Sequence, residues 1–197
     1  MRSPITSSCV LPGRFQPFHI GHAAALDHAL SRYDRVVVAI SNAHVSHLPT
    51  DPFTGGERYQ MIHAYAAAIS AADRVAVIPV AVDDEPTTWV ATIRAICPPF
   101  QEVYTRSPWT QAHFAYWGIP TSSSLLLGHE TSGSEVRQEM STGGDWRRFV
   151  PPSVAHAIEQ FDGHQRMHAL AKGSNYRTAP QPTTATSHPP SSQRGEA

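Results

Sequence analysis

Apolar positions along the chain fall into short continuous runs that alternate with alanine-rich or amphipathic segments. The continuous runs are typical of strands covered on both faces of a parallel sheet, and the segments between them favour helices. Predicted strands are residues 8–11, 35–40, 74–80 and 102–105, and predicted helices are residues 23–30, 57–72, 87–96 and 108–117. The alternation predicts an α/β fold with a Rossmann-like parallel sheet and helices on both faces.

The last third of the chain continues this pattern and then changes composition. A polar run at 121–123 leads into an apolar run at 124–127, which predicts a fifth strand. Ser132 or Ser134 can cap a following helix, just as Thr87 or Thr88 can cap the helix ending near Ile96. Residues 153–161 form the final predicted helix. From Lys172 onward Ser, Thr, Pro and Gln dominate, so we predict one domain over 1–171 and a disordered tail over 172–197.

Composition narrows the functional classes. The 197 residues are 41% hydrophobic and 16% charged with a net charge of −1, which suits one soluble domain and provides no field for nucleic acid or a membrane surface. No run approaches the ~20 apolar residues that span a bilayer. Cys9 and Cys97 have no metal-ligand spacing and are interpreted as buried free thiols. We therefore expect a cytoplasmic protein.

The segment at residues 13–22, with the sequence GRFQPFHIGH, carries the candidate chemistry. It joins the first strand to the first helix, so it places unpaired N–H groups of a helix N-terminus at a turn. His19 and His22 are three residues apart and can face the same side, while Gly21 leaves room for a phosphate. With Arg14 nearby, these residues predict a site for a phosphoryl group.

This segment resembles the H-x-G-H signature of the nucleotidyltransferase superfamily of adenylyl- and cytidylyltransferases. Its longer form is similar to that of archaeal-type nicotinamide mononucleotide (NMN) adenylyltransferases. Two further blocks match in the same order: residues 46–47 with 51–58, which read SH and DPFTGGER, and residues 132–137, which read SGSEVR. The similar GDW at 144–146 and VPP at 150–152 extend the resemblance over roughly residues 9 to 170.

The resemblance implies roles for individual residues. Catalytic roles fall to His19, His22 and Arg137. Nucleotide-binding roles fall to Gly13, Arg14, Phe15, Gly21, Ser132, Gly133 and Ser134, and acceptor-binding roles to Ser41, His47, Trp89 and Arg106. Mg²⁺ is expected as the cofactor, held mainly through triphosphate oxygens. No protein metal site is predicted, because the H-x-x-H at His44 and His47 has no evident third ligand.

The chain departs from the family pattern on the acceptor side. The family's D-x-x-x-N-x-x-W, aligned on Trp89, has Val82 in place of the acid and Pro86 in place of the amide. Leu126 and Gly128 stand where an aromatic residue and an arginine are common, and Arg106 replaces a small or amide residue. A one-residue slip would restore an acid, Asp83. The pocket thus loses groups that hydrogen-bond a carboxamide and gains a cation.

These departures predict a compact anionic acceptor. The main expectation is transfer of a nucleotidyl group from CTP or ATP to a small phosphonate or phosphate such as phosphonoformate, in phosphonate antibiotic biosynthesis. One alternative is an NMN adenylyltransferase making NAD, and another is an inactive nucleotide-binding sensor. The partners are then a nucleoside triphosphate and a small acceptor, and the sequence leaves homo-oligomer formation and the donor base open.

Overall fold

The computed structural model describes residues 7–82, 86–123 and 131–173. Within them a sheet of five parallel strands has the order β3-β2-β1-β4-β5. The strands are β1 (Ser8–Gly13), β2 (Arg35–Ile40), β3 (Val75–Pro79), β4 (Glu102–Tyr104) and β5 (Thr121–Ser122). The parallel Rossmann-like sheet is therefore confirmed. Its order reverses between β1 and β4, which is where open α/β sheets bind ligands.

Helices follow each strand and close the chain. They are α1 (Ile20–Arg32), α2 (Gly55–Ala68), α3 (Pro86–Ile96), α4 (Pro108–Tyr116), α5 (Gly133–Thr142), α6 (Pro152–Gln160) and α7 (Gly163–Ala171), with a 3₁₀ turn at Trp146–Phe149. Two predictions were wrong. Thr87 and Thr88 do not cap α3, because that helix already begins at Pro86, whose fixed φ suits a first helical position. Helix α6 is not the last, because α7 follows after Asp162 in the left-handed conformation.

The two faces of the sheet carry two apolar clusters, as helices on both faces require. In β1, Cys9 and Leu11 belong to the cluster shared with α1, α2 and α5–α7, whereas Val10 belongs to the cluster shared with α3 and α4. This alternation follows from the period of two in a strand. Covering on both sides fixes β1 in the centre, so the loop after Gly13 leaves from a rigid position.

Some sequence-based predictions lie outside the described residues. These are the strand at 124–127, the acceptor-side positions Leu126 and Gly128, the acid at Asp83 and the tail beyond Gly173. Strand β5 instead occupies Thr121–Ser122, part of the polar run. Of the helices in the described ranges, none has the length and apolar character needed to cross a membrane.

Candidate active site

One pocket that the described residues form at the carboxyl end of the sheet lies between the loop after β1 and the start of α5. It has a volume of about 300 Å³. Its lining consists of Arg14, Phe15, Gln16, His19, His22, Ser132, Gly133, Ser134 and Arg137. The pocket therefore brings together most of the residues predicted for catalysis and nucleotide binding, although they come from segments more than 100 residues apart. We call it the phosphate pocket.

The two histidines form the cap of helix α1. His19 is the N-cap, and its Nδ1 accepts a hydrogen bond from the Gly21 N–H at 3.1 Å. His22 completes the box, because its Nδ1 accepts from the His19 N–H at 3.3 Å, and the rings stack 3.7 Å apart. A neutral imidazole that accepts at Nδ1 carries its proton on Nε2. Each ring can therefore donate an Nε2–H to a phosphate oxygen.

Burial keeps both imidazoles neutral. It lowers the pKa of His19 to about 4. It also lowers the pKa of His22 well below its ordinary value, and the neighbouring His19 adds to this effect. At neutral pH each neutral ring can therefore donate a hydrogen bond, and the positive charge of the pocket comes from its arginines. A Cβ at Gly21 would lie 3.1 Å from the His19 ring, so a larger residue there would displace that ring by a few tenths of an ångström.

Arg137 reaches the pocket from the first turns of α5. Ser132 caps that helix through a hydrogen bond from the Glu135 N–H, as predicted for one of the two candidate serines. The Arg137 guanidinium donates to the Gln16 carbonyl at 2.7 Å and to Ser134 Oγ at 3.0 Å. A Cβ on Gly133 would lie 3.0 Å from the same Gln16 carbonyl. Glycine thus lets the helix N-terminus approach the loop after β1, and the N–H groups and Arg137 point to one anion site.

The second pocket lies beside the first and has a volume of about 510 Å³. It is lined by Pro12, Gly13, Arg14, Ser41, Trp89, Thr105, Ser107, Trp109 and Thr110. Trp89 is fixed by a hydrogen bond from its Nε1 to Ser41 Oγ at 3.2 Å, and its ring lies 5.3 Å from that of Trp109. Arg14 lines both pockets, so a group bound in one lies next to a group bound in the other. We call this second space the acceptor pocket.

The acceptor pocket contains two of the four residues predicted for it, Ser41 and Trp89. Gly13, expected on the nucleotide side, also lies here. Arg106 is exposed and is not part of the lining, although Thr105 and Ser107 on either side of it are. Sequence reasoning missed Trp109, and the available signal was its place just after Pro108, at the start of the helix that follows β4.

His47 faces the C-terminal helix instead of the acceptor pocket. Its Nδ1 lies 2.9 Å from Ser46 Oγ, and its Nε2 lies 3.3 Å from a guanidinium nitrogen of Arg166 on α7. Arg166 is buried and forms a two-point ion pair with Glu57. An arginine only donates, so Nε2 of His47 must accept. His47 therefore connects its loop to α7.

The described residues contain no group of three or more His, Cys, Asp or Glu side chains that could hold a metal ion. Among the described residues that line the phosphate pocket there is no carboxylate; the side chains are those of two arginines, two histidines, Phe15 and three polar residues. Such a lining fits a divalent cation only if triphosphate oxygens and water supply most of its ligands. How such a cation would be bound stays a prediction.

The H-x-G-H begins α1, after the loop that follows the central strand, and faces the N-terminus of α5 and Arg137, as expected from the resemblance to nucleotidyltransferases. The cytidylyltransferase-like family model matches residues 10–139, and the chain belongs to that family. It is 38% identical over 161 residues to the nicotinamide-nucleotide adenylyltransferase of Picrophilus torridus, covering 81% of this chain and 95% of that protein. With the one from Archaeoglobus fulgidus it shares 34% over 164 residues, covering 81% and 94%.

Solved structures support the fold. A bifunctional NMN adenylyltransferase/ADP ribose pyrophosphatase from Francisella tularensis, complexed with AMP and a manganese ion, matches with a TM-score of 0.67 and 20% identity. It covers 84% of this chain, which spans about half (52%) of that one. A Plasmodium falciparum nicotinic acid mononucleotide adenylyltransferase matches with a TM-score of 0.55 and 13% identity, covering 81% and 98%. The family match and the two archaeal relatives, together with this fold, show a nucleotidyltransferase enzyme.

Proposed function

We propose that this nucleotidyltransferase is an NMN adenylyltransferase, which transfers the adenylyl group of ATP to the phosphate of NMN and releases pyrophosphate. The observation that carries the proposal is the acceptor pocket, which is walled by two tryptophans and joins the phosphate pocket at Arg14. Its volume of about 510 Å³ is more than a compact phosphonate needs. The relatives from Picrophilus and Archaeoglobus support the same acceptor.

The chemistry of the acceptor suits these walls. The nicotinamide ring of NMN is a pyridinium cation, and tryptophan faces attract cations by about 0.5–2 kcal/mol. Trp89 is buried and fixed through Ser41, whereas Trp109 is 43% exposed at the edge of the pocket. A small phosphonate has neither a ring nor a positive charge for these two side chains to contact.

The phosphate pocket then aligns the reacting groups. An oxygen of the NMN phosphate forms a bond to the α-phosphorus of ATP, and the bond from that phosphorus to its bridging oxygen breaks. The electron pair leaves with pyrophosphate, so no covalent enzyme intermediate is needed. His19 and His22 donate Nε2–H groups to phosphate oxygens, while Arg137 and the first N–H groups of α5 neutralise charge on the departing pyrophosphate. Mg²⁺ bound to the triphosphate would add further charge neutralisation.

A second candidate keeps the small anionic acceptor, with CTP or ATP as the donor. One observation favours it: Val82 is partly buried and packs against the apolar cluster under α3 and α4. It therefore offers no hydrogen bond where the family pattern has an acid. In that case Arg106, exposed beside Thr105, would have to move to reach the acceptor.

The two candidates are separated by measuring pyrophosphate release with ATP or CTP against NMN or phosphonoformate. We expect ATP with NMN to give a kcat/KM of at least ~10⁴ M⁻¹s⁻¹, in the range of ordinary enzymes. Phosphonoformate accepted tenfold or more efficiently than NMN would overturn the proposal. The same screen on His22→Ala excludes contaminating activity.

Two substitutions refine the comparison. Trp109→Ala is expected to raise the KM for NMN by about tenfold and to leave that for ATP unchanged, because it removes one wall of the acceptor pocket. Tyr116→Ala is the matched control, since Tyr116 is 84% exposed on the same helix and outside both pockets. Arg106→Ala should have little effect on NMN, but should raise the KM of a phosphonate acceptor about tenfold if that candidate is correct.

We also infer a cytoplasmic location. Cys9 and Cys97 are both buried and unpaired, and burial raises the pKa of Cys9 to about 12 and that of Cys97 to about 11. Thiols kept in the protonated form inside the core are suited to a reducing compartment. Microscopy of cells that express this protein fused to a fluorescent protein would test this location.

A further inference from the structure

Arg14 occupies the junction between the phosphate and acceptor pockets. Its side chain is half exposed, with 50% of its surface accessible. A long, exposed arginine side chain has many rotamers, and each productive encounter would have to select one of them. Arg14 can therefore bind a ligand well at this junction only if other residues restrict the orientation of its side chain.

The backbone of Arg14 is held by Arg58 of α2, whose side chain is completely buried. One guanidinium nitrogen of Arg58 donates to the Arg14 carbonyl at 2.9 Å and to the Ser41 carbonyl at 3.0 Å. The other donates to the carbonyls of Asn42 and Val45. Arg58 thus joins the loops that follow β1 and β2, and it fixes where the Arg14 side chain begins.

The Arg14 side chain itself is contacted by Asp51, whose Oδ1 accepts from Arg14 Nη1 at 3.4 Å. Asp51 is only 6% exposed, and its backbone is paired in both directions with that of Leu48. Burial lowers the pKa of Arg58 to about 10 and also lowers that of Arg137, and in both the charge of Asp51 acts in the opposite direction. The buried carboxylate of Asp51 therefore contacts Arg14 and acts electrostatically on Arg58 and Arg137.

We propose that Asp51 is a positioning residue that acts through Arg14, directing its guanidinium to the junction of the two pockets. The contact of 3.4 Å is longer than the ~2.7–2.9 Å of a strong charge-assisted hydrogen bond. A phosphate can therefore share the guanidinium without first breaking a strong pair. The inference rests on nucleotidyl transfer and does not depend on which acceptor is used.

The competing explanation is that Asp51 only stabilises its turn. Asp51→Asn separates the two, because it keeps the size of the side chain and the backbone bonds to Leu48 while removing the charge. The experiment is a double-mutant cycle of Asp51→Asn and Arg14→Ala. For each protein, calorimetry gives the dissociation constants for binding of the magnesium complexes of ATP and CTP to the protein. Pyrophosphate release with NMN gives kcat and KM. Glu159→Gln, which removes a carboxylate from an ion pair with Arg147 outside both pockets, is the matched control.

We expect Asp51→Asn to weaken binding of the preferred nucleotide and to lower kcat/KM by about three- to tenfold. This is the loss expected when one long side chain must be immobilised on binding. In the Arg14→Ala background the same substitution should change neither quantity by more than about twofold. Additive losses, or losses that accompany a lower melting temperature and persist without Arg14, would overturn the proposal. If the wild type does not use NMN, the acceptor assignment fails, and the nucleotide-binding cycle still decides the role of Asp51.

Discussion

Acid should destabilise this protein partly through the histidine that caps α1. His19 is 7% exposed, and burial lowers its pKa from 6.5 to about 4. Protonation would also place a hydrogen on Nδ1, the atom that accepts from the Gly21 N–H. The folded state therefore favours the neutral ring, while the unfolded chain takes up a proton near pH 6.5. The stability from this preference is complete above that pH and is lost as the pH falls towards about 4.

The size of the effect follows from the two pKa values. For 6.5 in the unfolded chain and about 4 in the folded one, lowering the pH from about 7 to about 5 removes about 2 kcal/mol of the free energy of unfolding. His22, whose pKa is also lowered by burial, adds to the loss in the same direction. Against a total stability of about 5–15 kcal/mol, this is large enough to measure.

Urea unfolding of the wild type and of His19→Asn at both pH values isolates the contribution of His19. Asparagine is a good N-cap and can accept from the Gly21 N–H, so the two proteins should have similar stability at neutral pH. Between the two pH values the wild type should lose about 1.5–2 kcal/mol more than the variant, because the variant lacks the proton-binding group at position 19. Equal losses, within about 0.5 kcal/mol, would refute the conclusion that burial keeps His19 neutral.

Three further predictions concern the site and the chain end. His22→Ala should lower kcat at least ~10²-fold without unfolding the protein, since it removes a donor to the reacting phosphate, and near-normal kcat in a folded variant would contradict this. Chelation of divalent cations should stop turnover yet leave the nucleotide-free melting temperature unchanged, because the described residues provide no metal cluster. Ending the chain after about Lys172 should change neither activity nor melting temperature, a prediction from the tail's composition that a large fall in either measurement would disprove.

The features that could be predicted from the sequence are those set by local patterns. The apolar run of β2 gives its bounds, Arg35–Ile40, because a strand covered on both faces has no polar positions to interrupt it. The phosphate pocket could likewise be predicted, since residues 13–22 hold the turn, the histidines and the helix start in one continuous segment. The capping box formed by His19 and His22 was missed, because histidine is an unusual residue for that role.

Features that depend on tertiary contacts were not predictable in this way. Helix α7 begins after Asp162, which is in the left-handed conformation and provides no side-chain cap. The helix also buries Arg166, although arginine side chains are mostly found at the surface. Only the structure shows that Glu57, at the start of α2, supplies the negative charge that pairs with Arg166. Arg166 also contacts His47, which faces α7, so a motif match could name His47 without showing which way it faces.

The acceptor side shows why a departure from a family pattern has limited meaning. Val82 and Pro86 indicate which hydrogen bonds a bound molecule would lack, and this argued against a carboxamide. The shape of a pocket also depends on lining residues outside the segment that departs from the family pattern. Here some of those residues come from a different part of the chain. Trp109, after β4, completes an aromatic wall with Trp89 that no comparison centred on residues 82–89 could include. If the proposed acceptor is correct, loss of two polar partners would weaken the contact with one substituent of the ring, whereas Trp89 and Trp109 would still contact the ring itself, and this is the reason for proposing NMN.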